Sequence, residues 1–219
     1  MDLEELRLAV YDTFRREGTA PSRSRLAGEL GVEVGEIGQG LSELARGRHL
    51  VLGKEGEILM AHPFSAVPLG FSVMGGRTLW WGGCSWDSFA LAHLLEEEPD
   101  VLVATRCPGC GKAGAWVVSR EAPPRSEWLA HFLVPVAHMW DNVVRTCDNQ
   151  RLFCSEKCLQ GWLAHRDLVL GYVMDVETLW RLAGRWYEGR LGPGYQRREP
   201  ADAAEYLRGV GLVGPFWGT

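Results

Sequence analysis

No run of apolar residues in this chain approaches the ~20 needed to cross a bilayer. The opening MDLEELRLAVYDTF also lacks the basic stretch and long apolar run of a secretory leader. Both absences point to a cytoplasmic protein with no membrane partner. Positive charge is in deficit, with 23 Lys and Arg against 28 Asp and Glu and a formal net charge of −5. A protein built to grip a polyanion clusters Lys and Arg against phosphate, so nucleic acid is not an expected partner. Nothing repeats and nothing is low in complexity. Apolar residues are plentiful: 46% of 219 residues are hydrophobic, enough to bury one or two ordinary cores without covalent cross-links. Six cysteines in a reducing compartment are better explained by metal binding or catalysis, although their even number would suit a disulfide framework in an oxidising one.

The pattern predicts an α+β chain. Leu3, Leu6, Val10 and Phe14 form a helical stripe, Pro21 and Ser22 open a short helix ending near Gly31, and Ile37, Leu41 and Leu44 mark a third helix over 34–46. HLVLGKEGEILMAHP follows as a hairpin around a Lys-Glu-Gly turn. Three helices and a hairpin resemble a winged helix, and such units often read DNA. Here the third helix carries Glu33, Glu36 and Glu43, with Arg46 and Arg48 only at its end, so phosphate would repel it. A packing or substrate-covering role over residues 1–62 is the better expectation. After Pro63 the texture changes, and residues 63–219 are expected to form a catalytic domain with a mixed or antiparallel sheet and flanking helices. Its strands are expected at VLVATRC, AWVVSR and LVLGYVM, with helices at 85–95, in FCSEKCLQGWLAHR and in the segment opened by Asp175. WLAHFLVP fits helix or strand, VVRTC reads as a strand running out to a turn, and the Gly- and Pro-rich tail after Gly192 reads as a loose end.

Two constellations carry chemistry. Cys84 and Asp87 are three residues apart where Gly83 gives way to a helix, which puts both on one face and should ease ionisation of the thiol at the helix N-terminus. A plainer reading is a buried cysteine beside a helix-capping aspartate. The pairs Cys107-Pro-Gly-Cys110 and Cys154-Ser-Glu-Lys-Cys158 could deliver four thiolates to a tetrahedral soft metal such as zinc; alternatively Cys154 and Cys158 only pack a helix. Cys147 belongs to neither spacing.

The stretch Trp80-Trp81-Gly82-Gly83-Cys84-Ser85-Trp86-Asp87, the later Cys147 ahead of Phe153-Cys154-Ser155, and Cys107 in a turn between them resemble the alkylmercury lyase (organomercurial lyase) family. The closing LVLGYVMDVETLWRLAGRWYEGRL and the three leading helices are similar to that family as well. The chain departs from the pattern in its extra cysteines and in Asp148, where some members carry a second adjacent Cys.

The resemblance implies protonolysis of a carbon–mercury bond, with Cys84 and Cys147 holding mercury and Asp87 giving the proton. Mercury is a very soft cation that thiolates can capture, and two thiolates weaken its remaining bond to carbon. Burial among Trp80, Trp81 and Trp86 would help Asp87 keep a proton. Mercury would enter as substrate and leave as product, with no organic cofactor and with a structural zinc at the four other cysteines as a candidate. The partners would be small organomercurials and an acceptor of Hg(II), either a mercuric reductase or a low-molecular-weight thiol. Two rivals use the same residues: a non-catalytic metal-binding or metal-trafficking protein, and a metal-responsive winged-helix regulator.

Overall fold

Asp2 and Ser22 each accept a backbone N–H from the first turn that follows, and so open the first two helices, α1 (Leu3–Glu17) and α2 (Arg23–Leu30). A computed structural model describes residues 1–219. Leu6, Val10 and Phe14 of α1 are fully buried, as the helical stripe requires, and α3 (Val34–Arg46) buries Ile37, Leu41 and Leu44 beside them. The hairpin follows as β1 (Val51–Leu52) and β2 (Ile58–Ala61), paired antiparallel. The turn after β2 contains the cis His62–Pro63 bond, and β2 then pairs with β3 (Phe64–Ser65), so one sheet runs across the change of texture at Pro63.

That sheet has seven strands in the order β1-β2-β3-β5-β4-β6-β7, adding β4 (Phe71–Met74), β5 (Leu79–Gly82), β6 (Asp100–Arg106) and β7 (Ala113–Ser119). A second sheet has the order β10-β8-β9, from β8 (Leu129–Phe132), β9 (Gln150–Phe153) and β10 (Tyr172–Asp175). Every pairing is antiparallel, which decides between the mixed and antiparallel expectations and assigns WLAHFLVP to a strand.

Between the two sheets lies α4 (Ser85–Leu94), apolar on nearly every side and buried accordingly. It touches β4, β5, β6 and β7 of the large sheet, β9 of the small one, and α7 (Val176–Gly184), which Asp175 caps through the N–H of Thr178. A helix wedged in this way has little freedom, so the groups at its first turn are held from several directions.

Two expectations fail. Cys147 sits not on a strand but in the short helix α5 (Val143–Asp148), which follows a 3₁₀ turn at Val136–His138. Asn142 accepts the N–H of Arg145 at 3.0 Å and starts that helix, and this local cap overrides the alternation of VVRTC. After α6 (Glu156–His165) and α7, the tail is not loose either. It forms α8 (Pro200–Gly209) with Pro200 in the first turn, and then inserts Leu212 and Trp217 into the core. Trp217 is 1% exposed and packs on Phe132, Tyr172 and Phe216, anchoring the tail with about 1.5–3 kcal/mol of apolar burial.

Candidate active site

Cys84 is the N-cap of α4, and its Sγ accepts the N–H of Asp87 at 3.4 Å. The sulfur, rather than the Asp87 carboxylate, therefore caps the helix, which frees that carboxylate to face inward. Gly83 makes this approach feasible: a Cβ there would lie 2.5 Å from Asp87 Oδ2 and 2.5 Å from the Met60 methyl. Helix α5 brings Cys147 from the other side, with its Sγ 3.9 Å from Asp87 Oδ2. Cys84, Asp87 and Cys147 thus converge, and they are 1%, 2% and 3% exposed.

The tryptophans expected around Asp87 are otherwise engaged. Trp80 donates its indole N–H to the Phe14 carbonyl, and Trp86 packs on Phe132 and Trp186. The direct partners of Asp87 are polar. The Tyr187 hydroxyl donates to Oδ1 at 2.6 Å, and His62 Nε2 stands 3.9 Å from Oδ2. The same Nε2 is 3.6 Å from the Cys147 sulfur, while His62 Nδ1 has no partner. His62, Asp87 and Cys147 therefore form a buried triad of titratable groups.

The two thiols ionise unequally, and in the order opposite to the helix-terminus expectation. Burial pushes Cys84 well above the ordinary thiol range, and the neighbouring Cys147 and the Asp87 charge add to this, outweighing the N–H of Asp87. Cys147 is pulled below that range by the Cys84 thiol as a hydrogen-bond donor and, against burial, by His62. Burial opposes protonation of His62, but Asp87 and Cys147 together raise it above the ordinary imidazole value. Of the two thiols, Cys147 is thus the more readily ionised and Cys84 the less, with the imidazole between Cys147 and Asp87 made more basic.

The other four cysteines meet elsewhere. Cys107, Cys110, Cys154 and Cys158 bring their sulfurs within 4.8 Å of one another, a donor set suited to a soft tetrahedral ion. All six cysteines are free of disulfides. Two surface clefts lie away from both groups. One is polar and lies between α2 and α3, and the other, lined by residues of α1 and α4, touches the site only through Tyr187.

The family model for alkylmercury lyase matches residues 64–188, more than half of the chain and the span that carries Cys84, Asp87 and Cys147. The chain belongs to the alkylmercury lyase family. Among solved structures, the crystal structure of the mercury-bound form of MerB2 superposes with a TM-score of 0.63 at 19% identity, covering 87% of this chain and 98% of that one. At that identity the likeness speaks for the fold: leading helices followed by antiparallel sheets. Comparison with curated proteins gives no match.

As a member of this family the chain is a carbon–mercury lyase that acts on organomercurials. Two groups that contact Cys147 and Asp87 left no sign in the sequence, His62 and Tyr187. His62 precedes a proline at the end of the hairpin, and Tyr187 sits in WYEGRL, which reads as part of the closing helix but lies beyond its end at Gly184. Nothing local marks either, because their partners lie 85 and 100 residues away in the chain. Arg190 completes the shell. Buried to 3% exposure, it donates to the hydroxyls of Tyr11 and Tyr195 and lies over the Tyr187 ring, its guanidinium carbon 5.2 Å from the centroid.

Proposed function

We propose that this lyase cleaves its substrate by protonolysis, with Cys147 and Cys84 as mercury ligands and Asp87 as the proton donor. The observation that carries the reading is the meeting of these three buried groups around one point, with the more readily ionised thiol opposite the less readily ionised one. The Cys147 thiolate attacks mercury first and displaces whatever ligand accompanies the organic group. Cys84 then gives its proton to Asp87 and binds as the second thiolate. Charge donated by two sulfurs loads the carbon–mercury bond, and the Asp87 proton passes to the departing carbon. One hydrocarbon leaves, and Hg(II) remains on two sulfurs. Tyr187 would hold the carboxyl with Oδ2 turned toward the reacting atoms, and His62 would keep Cys147 ionised.

The bound Hg(II) needs an acceptor of comparable softness, and a mercuric reductase or a low-molecular-weight thiol fits this chemistry. The free thiols fit a cytoplasmic setting, and no helix is long and apolar enough to cross a membrane. The boundary at residue 62 is proposed as that of a winged-helix-like leading module, α1 to β2, that covers the site rather than reads DNA. Tyr11 of α1 supports this role, since its hydroxyl donates to the His49 carbonyl at 2.9 Å, lies 3.4 Å from the His62 carbonyl and receives Arg190 Nε at 2.8 Å. The zinc candidate at Cys107, Cys110, Cys154 and Cys158 lies outside this chemistry.

Benzene release from phenylmercury tests the reading. The purified, reduced protein should produce one benzene per phenylmercury consumed, with continued turnover only when excess thiol removes Hg(II). Stoichiometric mercury binding with no benzene would overturn it in favour of a metal-trafficking protein.

A further inference from the structure

The four-cysteine cluster joins two parts of the fold that are far apart in sequence. Cys107 follows β6, and Cys110 lies in the turn leading to β7; Cys154 follows β9, and Cys158 is in the first turn of α6. The Cys154 sulfur is 3.5 Å from that of Cys110 and 3.6 Å from that of Cys158. Tetrahedral zinc with bonds of about 2.3 Å sets its four sulfurs about 3.8 Å apart, so these separations need almost no adjustment to bind it.

The backbone around the sulfurs is built for the same purpose. The N–H of Gly111 closes the turn onto the Cys107 carbonyl at 2.8 Å, and the N–H of Cys154 points at the Cys107 sulfur at 3.5 Å. Ser155 caps α6 by accepting the N–H of Cys158 at 3.2 Å, which fixes the fourth sulfur. At Gly109 a Cβ would come within 2.5 Å of the Cys158 carbonyl oxygen, so only glycine lets the turn close over α6. Arg106, whose guanidinium donates to the Gly111 carbonyl at 3.1 Å, brings a positive charge to the turn that carries Cys107 and Cys110.

We propose that Cys107, Cys110, Cys154 and Cys158 bind one structural zinc ion that clamps the β6–β7 turn of the large sheet to the β9–α6 junction of the small one. Four protein ligands leave no open position, so this ion takes no part in catalysis. Its effect on the reaction is positional. β9 begins three residues after Cys147, and the ion anchors the far end of that strand. The clamp stands independently of the carbon–mercury chemistry.

Metal analysis of the full chain, purified reduced and without chelator or mercury, is expected to find about one zinc per chain, retained through folding. The Cys84→Ser/Cys147→Ser double variant should keep that zinc in full, which separates this site from the mercury site. Cys110→Ala alters an exposed residue, and zinc retention against a competing chelator should fall by at least about 100-fold, more than a lost supporting hydrogen bond costs. Should that variant not fold, cobalt(II) exchanged into the wild-type protein decides instead, through the intense thiolate-to-metal absorption of a tetrahedral four-sulfur site. Four titratable free thiols with no zinc, iron in its place, a disulfide between Cys110 and Cys154, or zinc lost from the double variant would each overturn the proposal.

Discussion

His62 Nε2 lies 3.6 Å from the sulfur of Cys147, across 85 residues of chain, with both groups shut away from water. Burial opposes charge on either group, and against it each supports the other's charged form, so the pKa of His62 is raised and that of Cys147 lowered. After the Cys84 thiol, this contact is the main influence that makes Cys147 the more acidic of the two site thiols.

Replacing His62 with Gln should therefore lower turnover by about 10–100-fold, as loss of a group supporting a metal ligand does. The thiolate ultraviolet absorbance of Cys147 should appear at higher pH than in the wild type. An unchanged thiolate titration would remove His62 from the mechanism.

The same contact makes stability depend on pH. The folded value of His62 is raised, so its stabilising contribution is complete below the unfolded value of about 6.5 and is lost as pH rises through the higher folded value. Cys147 is lowered when folded, so its contribution has the opposite sense: it is present above the unfolded thiol value and lost as pH falls through the folded one. The difference in melting temperature between wild type and His62→Gln, followed from acid to mildly alkaline pH, should shrink above the unfolded imidazole value. A difference that grows there would mean that His62 is buried neutral.

Cys84→Ser and Cys147→Ser should each abolish benzene release while leaving the fold intact, because a hydroxyl is a poor ligand for so soft a metal. They should differ in what remains. Cys84→Ser keeps the more acidic thiol, with a hydroxyl in place of the donor beside it, and should still capture phenylmercury, whereas Cys147→Ser should capture it slowly and only at higher pH. Near-normal turnover in either variant would end the two-thiolate mechanism.

Asp87→Asn separates proton delivery from capture. The amide oxygen can still accept from Tyr187, and the helix cap is the Cys84 sulfur, so the fold should be nearly unaffected. Phenylmercury binding should persist while turnover drops by about 10²–10⁴-fold. Parallel loss of binding and turnover would assign Asp87 to mercury capture.

Tyr187→Phe tests the hold on that carboxyl. Burial and the Asp87 charge push the Tyr187 hydroxyl well above its ordinary range, so it remains a donor throughout the working pH range. Removing it should cost about 1–3 kcal/mol of stability. It should also lower kcat more than it raises KM, since binding rests on sulfur. Rescue of kcat by raising pH would contradict this role.

What could be read in the sequence was what is local. The spacings of Cys84 with Asp87, Cys107 with Cys110 and Cys154 with Cys158 report one helical turn or one tight turn, and the structure keeps each pair together. The helical stripes at Leu6, Val10 and Phe14 survive for the same reason. Pairings between distant segments left no such trace, which is why His62 and Tyr187 went unnoticed. The two misread segments did carry signals that composition masked. Asn142 offers a helix cap before the alternating VVRTC, and Pro200 offers a helix start inside a tail whose glycines and prolines read as a loose end. At Cys84 the helix terminus favours the thiolate, but depth of burial, which spacing does not encode, opposes it and prevails.

The burial of Cys84, Asp87 and Cys147 has a kinetic consequence. With exposures of 1–3%, no organomercurial reaches these groups until the protein breathes. Trp140 packs edge-on against His62, and the guanidinium groups of Arg48 and Arg197 lie 5.8 and 5.0 Å from its ring centroid, so the cover on this side rests partly on cation–π contacts of about 0.5–2 kcal/mol. Where opening is the slow step, substrates with carbon–mercury bonds of different strength should turn over at similar rates, and solvent viscosity should slow them all alike. Under the proposed mechanism the same seal would keep the freshly made Hg(II) from other thiols until the next opening, so the timing of its release would belong to the protein's motion rather than to the bond that was cut.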